Sequence, residues 1–203
     1  WAQLSAEGEV VGLNPHFDST CEMSVYITAR LSRPGDSDLD GASHAWCGAR
    51  AEEGLYPFVF DAPDFRLHAD TKLPCRAKLR IAAFAHELEN FADETAFRAA
   101  QEGRPIFASE SFIPSGLFTS APTTEPPAAR ALITGRVLKH QLLSNLVTGA
   151  QFHWYRVRTY GGELDLVADP SIVSGTPSSG SIVRGAFWLS ARICVEPDRP
   201  VGA

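Results

Sequence analysis

The longest alternation of apolar and polar positions runs from Ile182 to Val195, where Val183, Gly185, Phe187, Leu189, Ala191, Ile193 and Val195 share one side. Successive side chains on a strand point to opposite faces, so this period of two predicts a half-buried β-strand over 182–195. Cys75 to Ala85 alternates in the same way, with Ala77, Leu79, Ile81, Ala83 and Ala85 on one face and Arg76, Lys78 and Arg80 on the other. That pattern predicts a strand with a basic outer edge. Cys21 to Leu31 sets Met23, Val25, Ile27, Ala29 and Leu31 on one side; with the short strand Gly8 to Leu13 and the Asn14-Pro15 turn before it, the spacing predicts a hairpin.

Between Ala131 and Asp169 the same reading gives three more strands. Ala131 to His140 is rich in β-branched and aliphatic residues and is broken by Gly135, where a strand of a small barrel can bend. Leu143 to Ala150 supplies turn formers. Gln151 to Tyr160 alternates up to Gly161-Gly162, and the return strand runs from Glu163 to Asp169, ended by Pro170. With Gly161-Gly162 as a two-residue loop, Tyr160 faces Glu163, Thr159 faces Leu164, Arg158 faces Asp165, Val157 faces Leu166 and Tyr155 faces Ala168. Tyr155, Val157, Leu164, Leu166 and Ala168 then point inward. Trp154, Arg156, Arg158, Tyr160, Glu163, Asp165 and Asp169 point outward.

A glycine-broken strand, a loop carrying Thr148-Gly149, a hairpin with an aromatic and basic side, and a final strand with Gly180, Val183 and Gly185 in a Gly-x-x-Val-x-Gly arrangement together resemble the OB-fold. The resemblance covers about one third of the chain, 131–195. It implies a small five-stranded barrel whose second and third strands and first loop contact oligonucleotides. Two features depart from that pattern: there is no clear helix between the third and fourth strands, and no independent fifth strand follows Val195. The fifth strand must come from a bend within 182–195 or from the first half of the chain, or be missing. Phe84-Ala-His-Glu-Leu88 and Glu110-Ser-Phe-Ile-Pro-Ser-Gly116 are similar to uncharacterised bacterial proteins, a likeness that carries no function.

Elsewhere the pattern is weaker. Ser32 to Ala45 holds Pro34, two glycines and three aspartates and predicts a solvated, disordered loop. Trp46 to Ala51 starts a strand, and Leu55 to Phe60 is an apolar cluster that Pro57 pushes to a sheet edge. Asp93 to Gln101 is the one helix: Asp93 caps it, Ala96, Phe97 and Ala100 share a side, and Gly103 and Pro105 end it. Thr119 to Ala129, with Pro122, Pro126 and Pro127, reads as a linker. No internal repeat stands out, although both halves are strand-rich and read as two related or interlocked β units. The expected fold is mainly β: a β-rich unit over 1–118 with one short helix near 93–101, a Pro-rich linker over 119–129, and an OB-like antiparallel barrel unit over 130–203.

Composition changes this picture in two ways. No apolar run approaches the roughly 18 residues that a membrane span needs, and no secretory signal precedes the first strand, so a soluble, cytoplasmic protein is expected. The chain begins with Trp rather than Met, which leaves a removed targeting segment open. The net charge of −6 is uneven: residues 1–129 carry 10 Lys/Arg against 19 Asp/Glu, and residues 130–203 carry 8 against 5. Opposite signs let the two halves attract each other, or let the second half meet a polyanion. Cys21, Cys47, Cys75 and Cys194 are widely spaced without a Cys-x-x-Cys pair and read as free thiols.

Catalytic motifs fail one by one. His86-Glu-Leu-Glu-Asn90 lacks the second histidine of the zinc-protease helix, no nucleophile elbow or phosphate loop occurs, and the pairs His44/Cys47 and His16/Cys21 lack knuckle spacing. No cofactor or metal is expected. What remains is the outer hairpin face, Trp154, Arg156, Arg158 and Tyr160, with Lys139 and Arg136 on the preceding strand. Aromatic rings interleaved with guanidinium groups suit single-stranded nucleic acid, because bases stack on the rings while cations meet phosphates. The same residue types suit a protein interface. The expectation is a non-catalytic binding or assembly module that contacts single-stranded nucleic acid, or else a protein partner or a homodimer paired through the open sheet edge. A metal-dependent enzyme using His44, Cys47 or His86 is the third reading.

Overall fold

The computed structural model describes residues 1–33, 39–51, 53–103, 105–117 and 126–195. The protein is mainly β, with one short helix. A first meander comprises β3 (Met23–Leu31), β4 (Ala42–Cys47) and β5 (Pro57–Asp61); a 3-10 turn at Phe65–His68 then leads to the long β6 (Cys75–Phe91). After α1 (Glu94–Ala99) and the short β7 (Ser111–Pro114), a second meander comprises β8 (Arg130–Ser144), β9 (Gln151–Thr159) and β10 (Gly162–Ala168). A 3-10 turn at Pro170–Ile172 and the two-residue β11 (Val173–Ser174) lead to the long β12 (Ile182–Val195). Strands β1 (Ala2–Leu4) and β2 (Val10–Leu13) pair with each other in a separate two-stranded sheet.

The pairings close into two rings that share their long strands. In one, β8, β9 and β10 are antiparallel neighbours, β10 lies parallel to β6 through Asp165–Ala82, β6 pairs antiparallel with β12, and β12 returns to β8. In the other, β3, β4 and β5 are antiparallel neighbours, β5 lies parallel to β12 through Asp61–Ser190, and β6 returns to β3. β6, from the first half of the chain, thus closes the ring of the C-terminal meander. β12 does the same for the N-terminal meander.

The two halves are related strand for strand. Met23 stands opposite Leu79 as Ile133 stands opposite Gly185, and Ala45 opposite Phe58 as Val157 opposite Leu164. Even the register shift between Ile27 and Ala29 in the β3–β4 pair recurs between Val137 and Lys139 in the β8–β9 pair. The repeat that no sequence similarity reveals is thus present in the hydrogen-bonded register. Equivalent positions share an inward-facing place without sharing side-chain size, as Leu79 and Gly185 show, so no sequence similarity remains.

One core fills both rings. Val25, Phe58, Phe60, Leu79 and Ile81 from the first half pack in the same buried cluster as Tyr155, Leu164, Leu166, Phe187 and Leu189 from the second. The side of β12 predicted to face inward is buried from Val183 to Ile193, and Ala77, Leu79, Ile81 and Ala83 of β6 are buried as their alternation demands. The helix forms where predicted: the Asp93 carboxylate accepts a hydrogen bond from the Ala96 amide, and Phe97 is buried against Phe91 and Ile182.

Several sequence expectations need correction. β2 pairs with β1 and not with β3, so the predicted hairpin does not form. β4 begins at Ala42, inside the stretch predicted to be a loop, because small residues such as Ala42 and Ala45 fit the closed sheet without showing a strong alternation; positions 34–38 of that stretch lie outside the described residues. β6 continues through His86 to Phe91, although the alternation fades after Ala85. Most of the predicted linker, positions 119–125 of 119–129, lies outside the described residues.

Candidate functional site

The β9–β10 hairpin turns one residue earlier than predicted. Thr159 pairs with Gly162, Arg158 with Glu163 and Arg156 with Asp165, so the loop is Tyr160-Gly161. Position 161 requires glycine: its φ is +99°, and a Cβ there would lie 2.5 Å from the Tyr56 hydroxyl and 2.9 Å from the Cys47 sulfur. The partners change by two positions, so every side chain keeps its predicted face. Arg158 no longer meets Asp165, however, and Tyr160 no longer meets Glu163.

The predicted outer face is held by the protein's own groups. Asp165 has no exposed surface; its carboxylate accepts from Trp154 Nε1 at 3.0 Å and from Arg156 Nε at 3.3 Å. Arg156 also donates to Thr20 Oγ1 at 2.7 Å, and Phe17 stacks on the Trp154 indole with centroids 6.1 Å apart. The N-terminal segment thus covers Trp154 and Arg156. Burial, then the Asp165 charge, pushes the neighbouring Cys21 thiol up to about 11. Arg158 and Arg136 converge on Glu110 at 3.3 and 3.6 Å, and Arg136 also meets Glu94 at 3.2 Å. Hydrogen bonds from Arg98 and Arg136 hold the Glu94 carboxyl below the usual range. Tyr160 is exposed, with its carbonyl accepting from the Tyr56 hydroxyl at 2.9 Å. Lys139 is exposed and makes no ion pair among the described residues.

A different face carries four cations that share one ion-paired carboxylate among the described residues. The outward residues of β6 are Arg76, Lys78 and Arg80, and Arg192 of β12 stands directly opposite Arg80. Two arginines facing each other across a ladder repel, a cost that neutral residues would avoid. Glu22 is the carboxylate that meets this group, 3.3 Å from Lys78 and 2.9 Å from Arg80, and those two bonds hold its carboxyl low. In the next row Arg76 stands opposite Tyr26, which stands opposite Trp46, both rings half-buried on the outer side. The basic edge of this strand is legible in the sequence. Its union with Tyr26, Trp46 and Arg192 depends on strand pairings, the one with Arg192 made across more than a hundred residues.

A second surface feature lies on the opposite seam, where β6, β12, β8 and β7 are adjacent. Two cavities of about 640 and 400 Å³ share Glu87, Ile113 and Leu132 and form one groove. The predicted metal pairs do not assemble. His44 bonds Thr28 Oγ1 at 2.7 Å on the outer side of β4, whereas Cys47 is buried against Gly161, because three residues along a strand separate opposite faces. His16 meets the Trp1 ring while Cys21 meets Asp165. Among the described residues no group of three or more His, Cys, Asp or Glu side chains has a metal-holding arrangement, and no helix is long and apolar enough to cross a membrane. No protein-family model matches the chain, and no curated protein matches it.

Proposed function

We propose that the protein is a non-catalytic binding module built from two OB-like barrels that exchange their long strands, and that it holds single-stranded nucleic acid across the outer face of β3, β6 and β12. The observation that carries this reading is the cluster of Arg76, Lys78, Arg80 and Arg192 on two adjacent strands, where Glu22 is the one carboxylate ion-paired with the cluster among the described residues, in a protein whose net charge is −6. Like charges on facing ladder positions are destabilising, and an anionic ligand would relieve that repulsion. Tyr26 and Trp46 flank the cluster as surfaces on which bases can stack. The Trp154 face is a poorer site, since Phe17, Asp165 and Glu110 already occupy its rings and cations.

Fluorescence polarisation of labelled single-stranded DNA and RNA against the whole chain tests the reading. Each neutralised phosphate on a single strand contributes about 0.7 to the slope of log affinity against log salt, so three or four contacts predict a slope of about −2 to −3. Arg76→Ser/Arg192→Ser, both at exposed positions, is expected to weaken binding at least tenfold, while Arg158→Ser leaves it unchanged. The reading fails if no binding occurs at low salt, or if Arg158→Ser abolishes binding and the double variant does not.

A further inference from the structure

The ladder that the two rings share differs between its two ends at one place. Along the β6–β12 ladder Ala186 pairs with Glu87 but the next residue, Phe187, pairs with Ala85, so His86 is an extra residue bulged out of β6. No bulge interrupts the equivalent step of the ladder, from Arg80–Arg192 to Ile81–Ala191. A bulge re-aims side chains and is retained where it does so usefully. Here it leaves both His86 and Glu87 exposed, side by side, at the edge of the groove.

The groove floor is apolar where a sheet's outer face is ordinarily polar. The cross-strand row Glu87–Ala186–Leu132–Ile113 runs over β6, β12, β8 and β7, with Leu132 46% exposed and Leu117 beside it 42% exposed. Adjoining exposed aliphatic residues on a concave surface mark a contact site more often than scattered ones do. Its charges are divided. Glu89 is already paired with Arg184 at 2.8 Å, whereas Glu87, shared by both cavities, has no ion pair among the described residues. Arg130 lies exposed on the far bank. From Arg130 to Thr134 along β8 the groove is about 14 Å long, at roughly 3.4 Å per residue, the length of four or five extended residues.

From the bulge, the aliphatic floor and the uncompensated carboxylate we infer that this groove takes a short extended peptide segment of a partner protein, one that lays aliphatic side chains on Leu132 and Ile113 and a lysine or arginine against Glu87. This surface is distinct from the cationic face and does not rest on the nucleic-acid reading. Main-chain extension suits a shallow trough of this length, and alternate side chains of such a segment would point into it.

The test uses the whole ¹⁵N-labelled chain titrated with blocked pentapeptides: Val-Lys-Val-Lys-Val, its Val-Glu counterpart, and Ser-Lys-Ser-Lys-Ser. The Val-Lys peptide is expected to shift the amides of Glu87, Ala186, Leu132 and Ile113 saturably, with Ser-Lys binding at least tenfold more weakly. Leu132→Gln, at a position already half exposed, should weaken the Val-Lys peptide at least tenfold, and Glu87→Lys should turn the preference toward the Val-Glu peptide. Equal binding of Ser-Lys and Val-Lys, shifts confined to other surfaces, no shift at millimolar peptide, or indifference to both substitutions would each overturn the proposal. Oligonucleotide binding measured on the same variants, whose substitutions lie away from Arg76 and Arg192, reports on the cationic face separately.

Discussion

Asp165 shows how one residue can decide the fate of a predicted site. A carboxylate without exposed surface is tolerable only when its charge is met, and here an arginine, an indole N–H and the Cys21 thiol surround it. Satisfying Asp165 takes Trp154 and Arg156 out of service as ligand contacts. Asp165→Ala would leave Arg156, itself one-fifth exposed, without its counter-charge and the Trp154 N–H without an acceptor. The expected cost is about 2–4 kcal/mol, at the lower side of what breaking a fully buried ion pair costs because Arg156 retains some water. Urea unfolding monitored by tryptophan fluorescence measures it; a change below 1 kcal/mol would show that the network is not what holds the N-terminal segment over β9.

At the scale of elements, the far end of the β8–β9 hairpin carries a pH dependence. His140 Nε2 and His153 Nδ1 are 2.8 Å apart, with the rings stacked at 5.1 Å and Tyr155 4.7 Å from His140. Burial lowers the pKa of both, and for His140 the neighbouring His153 charge lowers it further. A histidine whose pKa is lower in the folded than in the unfolded chain contributes stability that is present above about 6.5 and is lost as pH falls through the folded value, because the unfolded chain then binds more protons. The melting temperature should therefore decline from pH 7.5 to 5. His16 and His44, also lowered by burial, share in that decline. His140→Gln/His153→Gln should flatten the curve in that interval; melting curves that remain parallel to the parent's would assign the whole effect elsewhere.

Elements also differ in how far the sequence discloses them. β12 was legible to its ends because its alternation is unbroken, and α1 because Asp93 and Gly103 mark its limits. β6 was legible only to Ala85, since beyond it the bulge at His86 breaks the period and exposes two consecutive polar residues. The hairpin's faces were legible but its partners were not, because three consecutive residues, Tyr160-Gly161-Gly162, allow two loop positions, and the hydrogen bonds that the Tyr160 and Gly161 carbonyls accept from Tyr56 and Cys47 come from distant parts of the chain. Of the cationic face, Arg76, Lys78 and Arg80 show in the local pattern. Arg192 joins them only through the exchange of long strands, which no local pattern encodes.

At the scale of the whole molecule, that exchange determines how the protein unfolds. Two barrels joined by a linker would each keep a private core and could melt separately. Here β6 belongs to the first half of the chain yet closes the ring of β8, β9 and β10, while β12 closes the ring of β3, β4 and β5. The β6–β12 ladder is the longest pairing of both rings, so its loss opens both at once. The closing strands also cap the edges that an unfinished C-terminal barrel would have offered to a second copy, which removes the edge-pairing argument for a homodimer. A single cooperative transition is therefore expected, with tryptophan fluorescence and far-ultraviolet circular dichroism giving the same urea midpoint. A sharper form uses one substitution: Phe60→Ala, in the N-terminal meander and fully buried, should cost about 3–5 kcal/mol. Hydrogen exchange of the slowest amides in β9 and β10, in the other half of the chain, should accelerate by the same free energy, since those amides exchange only when the whole molecule opens. If β9 and β10 kept their protection while β3 to β5 lost theirs, the rings would be energetically separate despite their shared strands.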